Sequence, residues 1–370
     1  MVGTPVGSVG VITGLVAATD ADSDTLTYSG SGTTAKGTVT IDAGTGAFTY
    51  TPNASAHGMS ASTDTFTVLI TDGYGGSTPV SVSVPIAALA VGNAMIQYAF
   101  TYTSGSEYWT QEAKNALQFA ADKIASYIVT SQPVTLTFNV TAYSSPDSRT
   151  LASAGSDLRG FGAGYFYTVV QNKFVRGTDS NFSAADGTIN VNFGQSWSFA
   201  DDVAYGQYDF VSVMMHEMMH AYGFLTNLDE AGYNNANQWP LFTSGITDWT
   251  GTDVINGSYR FDTTFNPNLT GGNGGLYFAG AHAVNAYGGL VPLYTPSVWE
   301  VGSSGSHLDD YTFWGTQLME ATTGSGPGVR VLSTVEQGIL QDLGYTISTP
   351  TWSSAVFIGF GFFIRRRRVQ

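Results

Sequence analysis

The sequence predicts a multi-domain chain, an N-terminal antiparallel β-sandwich followed by an α+β domain. Three observations lead there. Residues 1–88 alternate apolar and polar positions, with turn signals at roughly ten-residue spacing. From residue 95 onward the pattern becomes strand, helix, strand. The length of 370 residues leaves room for more than one hydrophobic core.

Composition agrees with this reading. A hydrophobic share of 43% and an aromatic share of 13% suit a globular protein. Charged residues make up only 11%, against about a quarter in an average domain. Thr, Ser, Asn and Gly fill the polar positions, a profile common in extracellular β-rich proteins. The net charge is −15, and with the four arginines at Arg365 to Arg368 set aside the remainder carries −19. Such a body repels phosphate backbones, which argues against a nucleic-acid partner. The chain has no cysteine, which excludes a disulfide framework, an iron–sulfur cluster, a thiolate zinc site and a cysteine nucleophile. Met1 to Ala18 lacks a basic n-region and is interrupted by Gly and Thr, so it reads as a first strand instead of a signal peptide. For an exported protein such a start implies either a beginning inside a longer precursor or a missed upstream segment.

The strands of the first domain are expected at Thr25 to Tyr28, Gly37 to Asp42, Gly46 to Thr51, Asp64 to Thr71 and Pro79 to Pro85. The words Asp20-Ala-Asp-Ser-Asp-Thr-Leu-Thr-Tyr28, Phe48-Thr-Tyr-Thr-Pro52 and Asp72-Gly-Tyr-Gly-Gly76 resemble the cadherin-like and immunoglobulin-like repeats of large bacterial surface proteins. Asp20, Asp22, Asp24 and Asp72 suit either calcium, which takes clustered carboxylates, or the turns between strands, which Asp favours. His57 reads as a loop residue of this domain.

Small residues over 89–94 read as a linker, and 95–348 as the second domain. Ile96 to Tyr102 alternates as a strand. Ala113, Ala116, Leu117, Ala120, Ala121, Ile124 and Ile128 recur at helical spacing within Glu107 to Ile128. Val134 to Val140 and Gly187 to Phe193 alternate again, and a helix is expected over Asp209 to Phe224. Residues 228–306, rich in Gly, Asn and Tyr, predict an irregular subdomain. Ser333 with Glu336 three positions on opens a last helix over Leu332 to Leu343, and Gly344 closes it. Residues 349–370 differ from the rest. Trp352 to Ile364 is uncharged, rises about 20 Å as a helix and falls short of a hydrocarbon core of about 30 Å; four arginines follow. The segment resembles the sorting tails of bacterial exported proteins, which attach the chain to the membrane or cell envelope; a final buried strand with a basic end is the other reading.

The chemistry concentrates in Val211-Ser-Val-Met-Met-His-Glu-Met-Met-His-Ala-Tyr-Gly-Phe224. His216 and His220, four residues apart, share one face of a helix and can converge on one metal ion, while Glu217 is displaced toward a metal-bound water. Apolar neighbours bury this helix, where two histidines are costly unless coordinated or hydrogen-bonded. A catalytic zinc takes three protein ligands. His282 and His307 are the candidates for the third, with Glu230 and Glu300 as carboxylate alternatives.

His216-Glu-Met-Met-His-Ala-Tyr-Gly-Phe224 resembles the start of the metzincin motif, in which a glycine, here Gly223, turns the chain back toward the metal. The usual third-histidine position is Thr226 in this chain. Gly302-Ser-Ser-Gly-Ser-His-Leu-Asp-Asp310, Gln317-Leu-Met-Glu-Ala321 and Ser333-Thr-Val-Glu-Gln-Gly-Ile-Leu-Gln-Asp-Leu-Gly-Tyr345 resemble the corresponding segments of the leishmanolysin-like branch, which inserts a long segment at that point. Leishmanolysins are rich in cysteine and this chain has none. The resemblance implies a zincin-type catalytic domain, His307 as third ligand, Met319 in the turn beneath the metal, and Glu217 as general base of a secreted or surface-located zinc endopeptidase acting on proteins or peptides. A surface adhesin with an inactive zincin domain, or a zinc hydrolase of another class, are the competing expectations.

Overall fold

The computed structural model describes residues 11–52, 61–86, 93, 95–348 and 362–364. His57, most of the linker and all of the tail except 362–364 lie outside the described residues. The chain divides into two compact units, Met1–Ala90 with Thr349–Gln370, and Val91–Ser348.

The first unit holds β1 (Ile12–Leu15), β2 (Ala18–Asp20), β3 (Thr27–Ser29), β4 (Gly32–Thr33), β5 (Gly37–Ile41), β6 (Ala47–Pro52), β7 (Ser62–Thr71) and β8 (Ser77–Ile86). One antiparallel sheet has the order β1-β6-β5-β4 and a second β3-β7-β8. Strand β7 shows why the pattern folds this way: Asp64, Phe66, Val68 and Ile70 are buried while the threonines between them face out. Phe66 lies opposite Val82 and Val68 opposite Val80. Phe48 of the first sheet meets Phe66 of the second edge-on at 5.2 Å, so the two inner faces share one core. Pro79 and Pro85 sit on β8, an edge strand, where a missing N–H costs no ladder bond. Phe362–Ile364 pairs in parallel with β2. Among the described residues no helix is long and apolar enough to cross a membrane.

The second unit is mixed α/β. In chain order it contains β9 (Ile96–Tyr102), α1 (Gln111–Ala125), β10 (Ile128–Val129), β11 (Val134–Tyr143), β12 (Ala152–Gly155), β13 (Leu158–Arg159), β14 (Gly164–Thr168), α2 (Val169–Val175) and β15 (Gly187–Asn192). The main sheet has the order β12-β15-β11-β9. Strands β9, β11 and β15 run parallel, and β12 returns antiparallel along the edge. Thr110 caps α1, whose Ala113, Ala116, Leu117, Ala120, Ala121 and Ile124 form the buried face read from the sequence. Next come α3 (Phe210–Ala221), α4 (Ala281–Tyr287), α5 (Asp310–Phe313) and α6 (Thr334–Asp342).

Helices α3 and α6 start one or two residues inside their expected spans, because Asp209 and Ser333 are caps. Between 228 and 306 the backbone is tied by side chains. Asp248 accepts the amides of Thr250 and Thr252, Asn256 those of Ser258 and Arg260, and Asp262 that of Thr264. That region is largely irregular, as expected, but it also carries short strands at Gln238–Pro240, Ile246–Thr247, Tyr277–Phe278 and Val291–Pro292, 3-10 turns, and α4, none of which the sequence periodicity announces.

Candidate metal centre

Helix α3 is anchored at both ends. At its start, Asp209 accepts the Ser212 amide at 3.1 Å and the Gly328 amide at 3.1 Å. The fully buried Arg330 pairs with Asp209 at 2.8 Å and with Asp201 at 2.9 Å. Val211, Val213, Met214, Met215, Met218 and Met219 are buried around the shaft. His216, Glu217 and His220 occupy the remaining, half-buried face. At its end, Gly223 takes a left-handed φ of 97°. The turn lets Phe224 bond back to Met219 and aims the Phe224 carbonyl at His220 Nδ1, 2.7 Å away. The neighbouring α2 cap braces this turn: Thr168 Oγ1 donates to the Ala221 carbonyl at 2.9 Å, and Gln171 packs against Gly223.

The third histidine arrives from 91 positions beyond His216. His307 is 5% exposed and lies on a segment bridged to Leu293 and Glu320. Its own carbonyl accepts the Tyr294 amide, and the Leu308 amide donates to the Met319 carbonyl at 2.8 Å. His307 Nε2 stands 3.0 Å from His216 Nε2 and 3.2 Å from His220 Nε2. These three atoms form the one group of three or more potential ligands gathered among the described residues.

The other ring nitrogens decide what this cluster is. Each Nδ1 faces a backbone carbonyl: Leu318 for His216 at 2.8 Å, Phe224 for His220 at 2.7 Å and Ser303 for His307 at 2.8 Å. A carbonyl only accepts, so each Nδ1 carries the proton and each neutral ring points a lone pair inward from Nε2. Burial pushes His216 below its ordinary pKa; burial and then the His216 charge bring His220 down to about 3; His307 is lowered well below by burial, His220 and His216. Three acceptors facing one another at these distances repel unless a cation lies between them. Nitrogens about 2.0–2.1 Å from a tetrahedral zinc stand about 3.3 Å apart; His307 Nε2 lies near that distance from each of the other two, and all three lie within 4.8 Å of one another. The residues fit zinc.

Glu217 is raised to about 8 by burial, against a hydrogen bond from the Ala154 backbone of β12 that lowers it. Met319 is fully buried, in the segment that contacts both His216 and the His307 segment. The other third-ligand candidates stay apart. His282 on α4, Glu230 and Glu300 are exposed. Of the calcium candidates, Asp20 and Asp72 serve turns: Asp20 accepts the amides of Asp22 and Asp24, and Asp72 those of Tyr74 and Gly76.

Three contributors escaped the sequence reading. The Thr168–Gln171 capping box has a readable signal, Thr-x-x-Gln before an apolar run. The Ala154 amide has none, being backbone. Glu336 was read as a helix cap, but it also accepts the Met319 amide at 2.7 Å. Burial raises it to about 7, opposed by hydrogen bonds from Ser333, Met319 and Leu318.

Residues 3–88 match the family described as the bacterial cadherin-like domain, and the N-terminal domain is of that kind. No curated protein and no solved structure matches the chain.

Proposed function

We propose that the second unit is a zinc-dependent endopeptidase of zincin type, related to the leishmanolysin-like metzincins. The observation that supports it is the inward convergence of three Nε2 lone pairs, enforced by three Nδ1-to-carbonyl hydrogen bonds. His216, His220 and His307 would hold the ion, leaving a fourth position for water or substrate. When bound, zinc supplies positive charge that polarises a carbonyl, acidifies water and acts against the burial that raises Glu217. Glu217 then takes the proton of the attacking water and hands it to the leaving amine. The Ala154 backbone of β12 lies beside its carboxylate and favours the charged form. Because β12 is the edge of its sheet, its backbone offers an extended peptide a strand to pair with beside Glu217.

The experiment is paired. The purified chain should hold close to one zinc, and Glu217→Ala should keep that zinc while losing about 10²–10⁴-fold in casein cleavage. Equal cleavage by wild type and variant sinks the mechanism. The cadherin-like domain favours a second reading, an exported surface adhesin whose zincin domain is inactive; a zinc-loaded wild type that cleaves no protein substrate would select it.

A further inference from the structure

Resting on the reading of the triad as a metal centre, we propose that Glu336 is a positioning residue for that centre, acting on His216 through a single peptide group. The bond between Leu318 and Met319 is held at both polar ends. Its carbonyl accepts the His216 Nδ1 proton at 2.8 Å. Its N–H donates to Glu336 Oε1 at 2.7 Å. Carboxylate, amide and imidazole thus form one continuous chain that ends at the inward lone pair of His216.

Metal-bound histidines commonly place a carboxylate or carbonyl directly on the second ring nitrogen, which fixes the tautomer and raises ligand basicity. Here the carbonyl has a carboxylate behind it. Hydrogen bonds in series polarise one another. Negative charge at the N–H end enriches the carbonyl oxygen, which then holds the Nδ1 proton more firmly and increases donation from Nε2.

The carboxylate cannot swing away. Oε2 accepts the Ser333 amide at 2.7 Å, Ser333 Oγ accepts the Glu336 amide at 3.2 Å, and the residue is fully buried. Both oxygens meet backbone N–H groups, an arrangement the ionised form satisfies. The capping box of α6 is therefore also a clamp on the metal-side loop. The same short segment reaches a second ligand, since the Met319 carbonyl takes the amide of Leu308, the residue after His307.

A zinc-competition titration on the full chain tests this, with melting of the zinc-free protein in parallel. Glu336→Gln can accept from only one of the two amides, and zinc affinity should fall about 10-fold or more. Ser333→Ala keeps the Ser333 amide on Oε2 and loses only the Oγ that accepts the Glu336 amide, so it should lower melting while costing less zinc affinity than Glu336→Gln does. Wild-type affinity in Glu336→Gln, or equal losses in both variants, overturns the proposal. Nuclear magnetic resonance on the wild type does not depend on a variant folding: zinc addition should move the His216 Nδ1 proton and the Met319 amide proton downfield together. A shift at His216 alone refutes the relay and spares the zinc site; no zinc binding at all refutes the zinc site itself.

Discussion

Gly223 meets two demands at one position. Its φ of 97° lies in the left-handed region, where a side chain costs about 1–2 kcal/mol. A Cβ there would also stand 2.4 Å from the Gln171 side chain, which is locked in the α2 cap. The turn it permits places the Phe224 carbonyl on His220. Gly223→Ala should therefore destabilise the second unit by about 1–3 kcal/mol and weaken zinc binding, because the His220 tautomer loses its partner. Thermal melting and zinc titration of the variant check this. Unchanged melting would mean that the α2 cap yields freely. The glycine itself was legible through the metzincin resemblance, which places a turn glycine shortly after the second histidine. Its contact with Gln171 was not, because the two positions lie 52 apart in sequence and belong to different elements.

At the scale of elements, legibility followed periodicity. Strands β7 and β8 and helix α1 bury every second position or one helical face, and each announced itself through that pattern. Helix α4 did not, because only Ala283 is buried on it. Helix α3 carried its own spacing signal, whereas His307 was singled out only through a resemblance; a residue supplied by a distant loop leaves no local period. Asp64 shows what alternation cannot convey. It sits at an inward position of β7 and is 5% exposed. Its carboxylate accepts Thr34 Oγ1 at 2.5 Å, Tyr50 Oη at 2.7 Å and the Lys36 amide at 2.9 Å, which joins the two sheets. Burial would raise its pKa, but these bonds and the Thr65 amide hold it below the ordinary value of 3.8. The native state thus favours the charged form. Its contribution is present in full above 3.8 and is lost as pH falls through the lower folded value. Asp64→Asn, with one acceptor oxygen in place of two, should cost the first unit about 1–3 kcal/mol at neutral pH. Calorimetry of the full chain at pH 7 and at successively lower pH below 3.8 checks both claims: the gap between wild type and variant should narrow as acid protonates Asp64. A gap that persists there would show that packing, not charge, carries the effect.

At the scale of the molecule, the two compact units have different sources of stability. The first rests on a continuous apolar core between two sheets and contains none of the three clustered histidines. The second gathers three histidines from α3 and a loop 87 positions beyond His220, so an ion held there would close a long stretch of irregular chain. A ligand that binds only the folded state stabilises it by mass action, about 4.1 kcal/mol when its concentration is a thousand times its dissociation constant. Zinc should then protect one unit alone. In calorimetry of the full chain, chelation should move the transition of the second unit to lower temperature and leave that of the first where it was. Hydrogen exchange assigns the transitions, with β7 amides reporting on the first unit and Val211 to Met215 on the second. If chelation lowers both together, the units unfold as one and the metal supports the whole chain. If it lowers neither, the inward lone pairs are reconciled without an ion, and the proposal of a zinc site in the second unit falls.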